Sequence, residues 1–264
     1  MADAILEHYL PRFAGDKLPG TIEGVCVGIA DRIDTITGCF SVGLIPSGSE
    51  DPYGLRRQSV AILTMLLDRG LRLSLSELIA EACKGFGPKN NLSSDILDFF
   101  RQRMAGVLAA EGVRSDVVDA ALSVAFDDPL IAREKVRALD GLRSSEDYQP
   151  LVTALKRAGN IVPKNFTGTV TRDLLKLDAE KALHDAFMEI HDRVRNKTAT
   201  LDFRGALADI ASLRKPVDAF FDAVMVMDKD EAVKTNRLAL LARVTGLFAR
   251  IADFSRLDLG TEGK

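Results

Sequence analysis

Residues Leu213 to Leu257 read LRKPVDAFFDAVMVMDKDEAVKTNRLALLARVTGLFARIADFSRL, two helical patterns joined by a short acidic link. In the first, Pro216 suits a first helical turn, where a missing N–H costs nothing, and Asp218 and Asp222 favour the positively polarised amino end. Ala219, Phe220, Ala223, Val224 and Val226 give that helix an apolar face. Asp228 and Asp230 open the second helix, along which Leu238, Leu241, Thr245, Phe248 and Ala252 recur at steps of three and four. Leu240, Val244, Leu247 and Ile251 widen the stripe. The pattern predicts a packed helical module with Phe220, Phe221, Val224, Leu238, Leu241 and Phe248 in its core. No catalytic constellation accompanies it.

Outward from this stretch nearly every segment also reads as helix, so the chain is expected to be all-α. Thr21 to Gly38 is apolar at helical spacing, and Asp51 is expected to cap a helix with Pro52 at its first position and Tyr53 to Arg69 as its body. Ser74 followed by Glu77 has the spacing of a capping box. Further helices are expected near Ser94 to Glu111, Ser115 to Phe126, Pro129 to Leu139, Asp147 to Gly159, Asp178 to Arg195 and Leu201 to Leu213. Alternating β-branched runs are missing, which argues against an extended sheet. The run KGFGPKNN, Lys84 to Asn91, interrupts the apolar pattern and sets an expected boundary between units of residues 1–88 and 89–264. The tail from Gly260 to Lys264 is expected to fray.

Composition bounds the class. The chain has 264 residues, 47% hydrophobic and 28% charged, which describes a globular protein with a sizeable core. No apolar run approaches the roughly 20 residues that a membrane helix needs, and Asp3 and Glu7 stand where a signal peptide would be basic, so a cytoplasmic location is expected. Cys26, Cys39 and Cys83 show no metal spacing and sit among apolar neighbours, which predicts reduced, buried thiols. His184 and His191 stand two turns apart on one predicted helix, with too few partner ligands nearby to predict a metal site. No Ser-His-Asp or Cys-His pair has a recognisable spacing, so no catalytic residue is assigned.

A net charge of −3 does not advertise a nucleic-acid binder, but binding depends on where the basic groups lie. From Tyr148 to Arg172 the chain carries Lys156, Arg157, Lys164 and Arg172 and no Asp or Glu. Gly159, Asn160, Pro163, Asn165 and Gly168 interrupt the helix there, and Phe166 offers a face on which a base could stack. A solvated loop with ordinary surface lysines fits the same residues. A second basic pair, Arg56 and Arg57, follows the glycine-containing stretch Gly38 to Gly48. That stretch lacks the Gly-Lys-Ser/Thr ending of a nucleotide loop and reads as a tight connection to the next helix, whose amino end beside two arginines could hold a phosphate.

The wording LRKPVDAFFDAVMVMDKDEAVKTNRLALL, together with EHYLPRFAGDKLP at Glu7 to Pro19, ADRIDT at Ala30 to Thr35, GLIPSGSEDPYGLRR at Gly43 to Arg57 and LKRAGNIV at Leu155 to Val162, resembles the beta subunit of the bacterial two-subunit glycyl-tRNA synthetase. The resemblance spans nearly the whole chain and is to the carboxyl-terminal part of that subunit. It implies a partial HD-like helical unit followed by a helical DALR-like anticodon-binding domain similar to that of arginyl-tRNA synthetase, a likeness that RLALL at Arg237 to Leu241 supports. In the HD-like unit Asp31 matches the distant Asp of a metal-binding pattern and His8 a later histidine, while the upstream His and His-Asp pair are absent from the chain.

Carried further, the resemblance implies tRNA-Gly and the synthetase alpha subunit as partners in an alpha2beta2 assembly, with ATP, Mg²⁺ and glycine acting at the alpha subunit and no cofactor in this chain. Lys156, Arg157, Asn160 and Lys164 are the candidate tRNA contacts, with Arg56 and Arg57 as further candidates. Asn236 and Arg237 fit a buried interhelical polar pair at least as well as an RNA contact. The alternative reading is a structural module that docks the alpha subunit without binding RNA.

Overall fold

The structure, a computed structural model, describes residues 2–87, 91–124 and 126–259. Among these residues it holds twelve α-helices and no strand, only an isolated bridge between Ser47 and Glu50, in line with the all-α expectation. The chain divides into two units, residues 1–112 with 125–133 and residues 113–124 with 134–264. The expected boundary between residues 88 and 89 lies outside the described residues. The helix that follows it groups with the first unit.

The first unit contains α1 (Ala2–Glu7), α2 (Ile22–Ser41), α3 (Leu55–Arg69), α4 (Leu75–Cys83) and α5 (Leu92–Ala110). α2 is its centre and packs against each of the other four helices. Val25, Ile29, Ile33, Ile36 and Phe40 recur along its buried side, where Phe40 meets Phe99 of α5 edge to face at 5.2 Å between ring centroids. Thr21 caps α2 by accepting from the amide of Gly24, and Ser74 caps α4 by accepting from the amide of Glu77, as their spacing predicts. Arg32 sits in the core with its guanidinium donating to the carbonyls of His8, Tyr9, Leu10, Pro11 and Gly28, which fastens α1 and the following loop to α2.

Two expectations in this unit need correction. α3 starts at Leu55, three residues after Pro52, because the chain first makes a tight turn: the Gly54 amide donates to the Asp51 carbonyl and Gly54 takes φ +64°. The carboxylate of Asp51 nevertheless caps the helix, accepting the amides of Leu55 at 2.8 Å and Arg56 at 3.0 Å. The cysteines are not buried: Cys26 is exposed on α2, and Cys39 and Cys83 are half-buried.

The second unit contains α6 (Ser115–Leu122), the greater part of α7 (Pro129–Leu142), α8 (Tyr148–Ile161), α9 (Asp178–Ala199), α10 (Phe203–Ala211), α11 (Arg214–Ala223) and α12 (Glu231–Phe248). α12 is central and packs against α8, α9 and α10. Three neighbours bury it almost all round, so Ala239, Leu240, Leu241 and Val244 have no exposed surface, and the stripe read from the sequence widens to nearly the whole circumference. Asp230 caps it, accepting the amides of Ala232 and Val233, while α11 ends at Ala223 and leaves Val224 and Val226 buried beyond its end. Asp222 therefore stands in the last turn of α11 and not at its start. The six core residues expected from the opening stretch are all buried.

Candidate nucleic-acid interface

α8 buries Leu151, Val152, Leu155 and Ala158 against its neighbours and leaves its polar side free. Lys156 and Asn160 stand one turn apart on that side, and Lys164 follows in the loop after the helix. These three line one concavity of about 560 Å³ within the second unit, together with Gly159, Thr245, Phe248, Ser255 and Arg256. Asn160 and Lys164 are exposed and Lys156 is half-buried, with its ammonium donating to the Leu257 carbonyl at 2.5 Å.

Arg157 lies about 100° further round the helix by the 3.6-residue repeat and does not join them. Its guanidinium lies over the Phe221 ring, 4.2 Å from the centroid, in a cation–π contact with α11. Arg172 pairs with Asp185 at 3.3 Å. Phe166 is half-buried, so its ring is a smaller stacking platform than the sequence suggests: a Cβ placed on Gly168 would come 2.8 Å from it.

Ser255 and Arg256 belong to a 3-10 turn, Phe254–Arg256, that packs on α6 and α8. Asp253 shapes the turn by accepting from the amide and hydroxyl of Ser255 and from Arg256. Burial opposes ionisation of Asp253, yet these donors outweigh it and hold its carboxyl below the usual range. Arg256 also donates to Asp119 at 2.8 Å. Sequence reasoning missed both wall residues, since about a hundred positions separate them from Lys156; the Asp-x-Ser turn signature ahead of a basic residue was the available signal.

Asn236 and Arg237 are buried and are not among the residues that line this concavity. Asn236 accepts from the Thr171 amide at 2.7 Å and donates to the Thr171 carbonyl at 3.1 Å, and Arg237 bonds Glu180, Asp228 and the carbonyl of Met225. They form the buried polar contacts that their position in the sequence allowed.

In the first unit Arg56 and Arg57 line a larger groove of about 970 Å³ between α3, α5 and the loop after α1. The amino end of α3 is already filled by the Asp51 carboxylate, so it is not the open phosphate site considered above. Glu7 accepts from the amide and hydroxyl of Thr21, and the His8 ring bonds the carbonyl of Ile5, so both residues serve local structure. Asp31 is exposed. Each ring of His184 and His191 has its Nδ1 3.3 Å from the carboxylate of the next residue, Asp185 or Asp192. Among the described residues no group of three His, Cys, Asp or Glu side chains is placed to hold a metal ion, and no helix is long and apolar enough to cross a membrane.

Residues 1–123 match the sequence model of the glycyl-tRNA synthetase beta subunit, and residues 151–254, which include the α8 concavity, match that of the DALR anticodon binding domain. The glycine–tRNA ligase beta subunit of Syntrophotalea carbinolica is 46% identical over 262 residues, that of Trichlorobacter lovleyi 45% over 262, and that of Desulforamulus reducens 41% over 269. These alignments cover 97%, 97% and 99% of this chain and 38%, 38% and 39% of the respective relatives, so the chain spans well under half their length. Matches to both sequence models, in the order in which the two helical units follow one another, and identity above 40% across almost every residue show that the chain belongs to the glycyl-tRNA synthetase beta-subunit family.

Proposed function

We propose that this chain is a tRNA-recognition part of a cytoplasmic glycine–tRNA ligase, and that the α8 concavity binds the anticodon region of tRNA-Gly. The alpha subunit would then attach glycine in a reaction using ATP and Mg²⁺. The observation that carries the reading is the convergence of Lys156, Asn160, Lys164 and Arg256 on one concave surface inside the segment that matches an anticodon-binding family. An anticodon loop can splay its bases outward, where amide and guanidinium donors reach their edges and ammonium groups neutralise phosphates. Arg157, stacked on Phe221, contributes charge at the flank and not inside the concavity. The Arg56 and Arg57 pair belongs to a separate groove.

Footprinting of tRNA-Gly on the full chain tests the reading, with protection of the anticodon loop as the expected outcome. The double variant Lys156→Ala, Lys164→Ala should weaken binding and reduce the salt slope by about 1 for each lost phosphate contact. Unchanged affinity and slope would remove these residues from the interface. Capture of the alpha subunit with no RNA binding at all would favour a docking module instead.

A further inference from the structure

The groove of the first unit has two chemically different ends. Arg56 and Arg57 of α3 and Arg103 of α5 supply three guanidinium groups, and the Nε of Arg103 is buried without a hydrogen-bond partner. Arg103 is held over the Phe99 ring at 5.2 Å, and Arg56 is steadied by the carbonyls of Gly48 and Glu50. Burial and the nearby Arg56 charge both weigh against the Arg103 cation, and Asp51 offsets them only in part. Asp16 also lines the groove, but Arg12 already pairs with it at 2.9 Å. What remains is an excess of positive charge from three guanidinium groups along one groove, which an anion of more than one charge would relieve.

The other end is apolar. Val60 and Val107 line it, together with Phe13, which is 56% exposed and carries the Arg12 guanidinium over its ring at 5.7 Å. Gly106 keeps the floor open, since a Cβ there would meet nothing within 4 Å. A volume of about 970 Å³ suits a ligand larger than an inorganic anion.

We propose that this groove binds a free nucleoside diphosphate, with its phosphates on Arg56, Arg57 and Arg103 and its base laid against Phe13. A carboxylate ligand would leave most of the charge unmatched, and an apolar ligand would leave all three guanidinium groups without an anionic partner. The site is one of binding only; no metal ligands converge on it.

Calorimetric titration of the full chain with ADP, adenosine and pyrophosphate tests the assignment. ADP should bind, and adenosine and pyrophosphate should each bind at least about tenfold more weakly, because each lacks one end of the ligand. Arg103→Gln should weaken ADP binding by about tenfold or more. Gly106→Leu should abolish it by filling the floor, while circular dichroism stays unchanged because the added side chain enters open space on a helix. No ADP binding, pyrophosphate binding as tight as ADP, ADP binding indifferent to both substitutions, or binding of a single-stranded oligoribonucleotide without ADP would each overturn the proposal.

Discussion

The guanidinium of Arg237 and the carboxylate of Glu180 meet at 2.5 Å between α12 and α9, with side chains only 5% and 0% exposed. Burial weighs against the Arg237 charge, but hydrogen bonds and attraction from Glu180 and Asp228 more than compensate and raise its pKa. Glu180 also accepts the Leu177 amide at 2.6 Å, so one carboxylate caps α9 and anchors α12. Glu180→Ala would leave Asp228 as the remaining carboxylate partner of the buried Arg237 and remove the acceptor of the Leu177 amide, and should destabilise the second unit by about 1 to 3 kcal/mol. Glu180→Gln keeps one acceptor oxygen, enough for Arg237 or for the Leu177 amide but not for both, and should fall between wild type and Glu180→Ala. Urea unfolding of the two variants measures the difference.

Asn236 clamps an extended loop to the central helix through its paired bonds with Thr171. Asn236→Ala leaves the Thr171 amide and carbonyl without those partners and should cost about 1 to 3 kcal/mol. Hydrogen exchange should speed up in residues 162–171 first. Uniform acceleration across the second unit would mean that the clamp is not local.

Much of this was legible because the determinants act over short distances. Thr21, Ser74 and Asp230 announce helix starts since a side-chain oxygen reaches an amide two or three residues on. Lys156, Asn160 and Lys164 could be grouped from the sequence because a single helix and its exit loop carry them. The Asp51 start was misplaced since the left-handed Gly54 inserts a turn between the cap and the helix it caps. Arg157 stands on a different side of α8, over Phe221, which charge counting does not reveal because it ignores azimuth. Arg256 and the Glu180–Arg237 pair depend on tertiary packing between distant segments, which no local pattern encodes.

Arg32 concentrates five carbonyl contacts in one buried side chain. Arg32→Lys keeps the charge but loses the planar fork, so it should release α1 and residues 9–12 nearly as fully as Arg32→Ala. Limited proteolysis should then cut near Tyr9 to Arg12 while α2 stays protected. Equal resistance of wild type and Arg32→Lys would argue against the fastening role.

Asp16 should make the loop after α1 acid-labile. Its carboxyl is lowered from 3.8 to about 2, first by the Arg12 guanidinium hydrogen bond, then by the Arg12 amide, with burial acting the other way. The folded state thus favours the ionised form, and the stabilisation is present above about pH 4 and lost as pH falls toward 2. The thermal-stability gap between wild type and Asp16→Asn should be constant near neutrality and close over that window. A gap that persists at low pH would assign the effect to packing instead of charge.

Under the proposed function, the bond from Lys156 to the Leu257 carbonyl makes the chain's own backbone a rival for the charge that the concavity would offer to RNA. The carbonyl takes one of the three ammonium donors and fixes where the other two point, so a phosphate out of their reach has to draw Lys156 off the carbonyl, and the measured affinity would then understate the intrinsic attraction. Any substitution that shifts residues 253–257 would then alter RNA binding without touching the RNA, and could strengthen it by removing the rival.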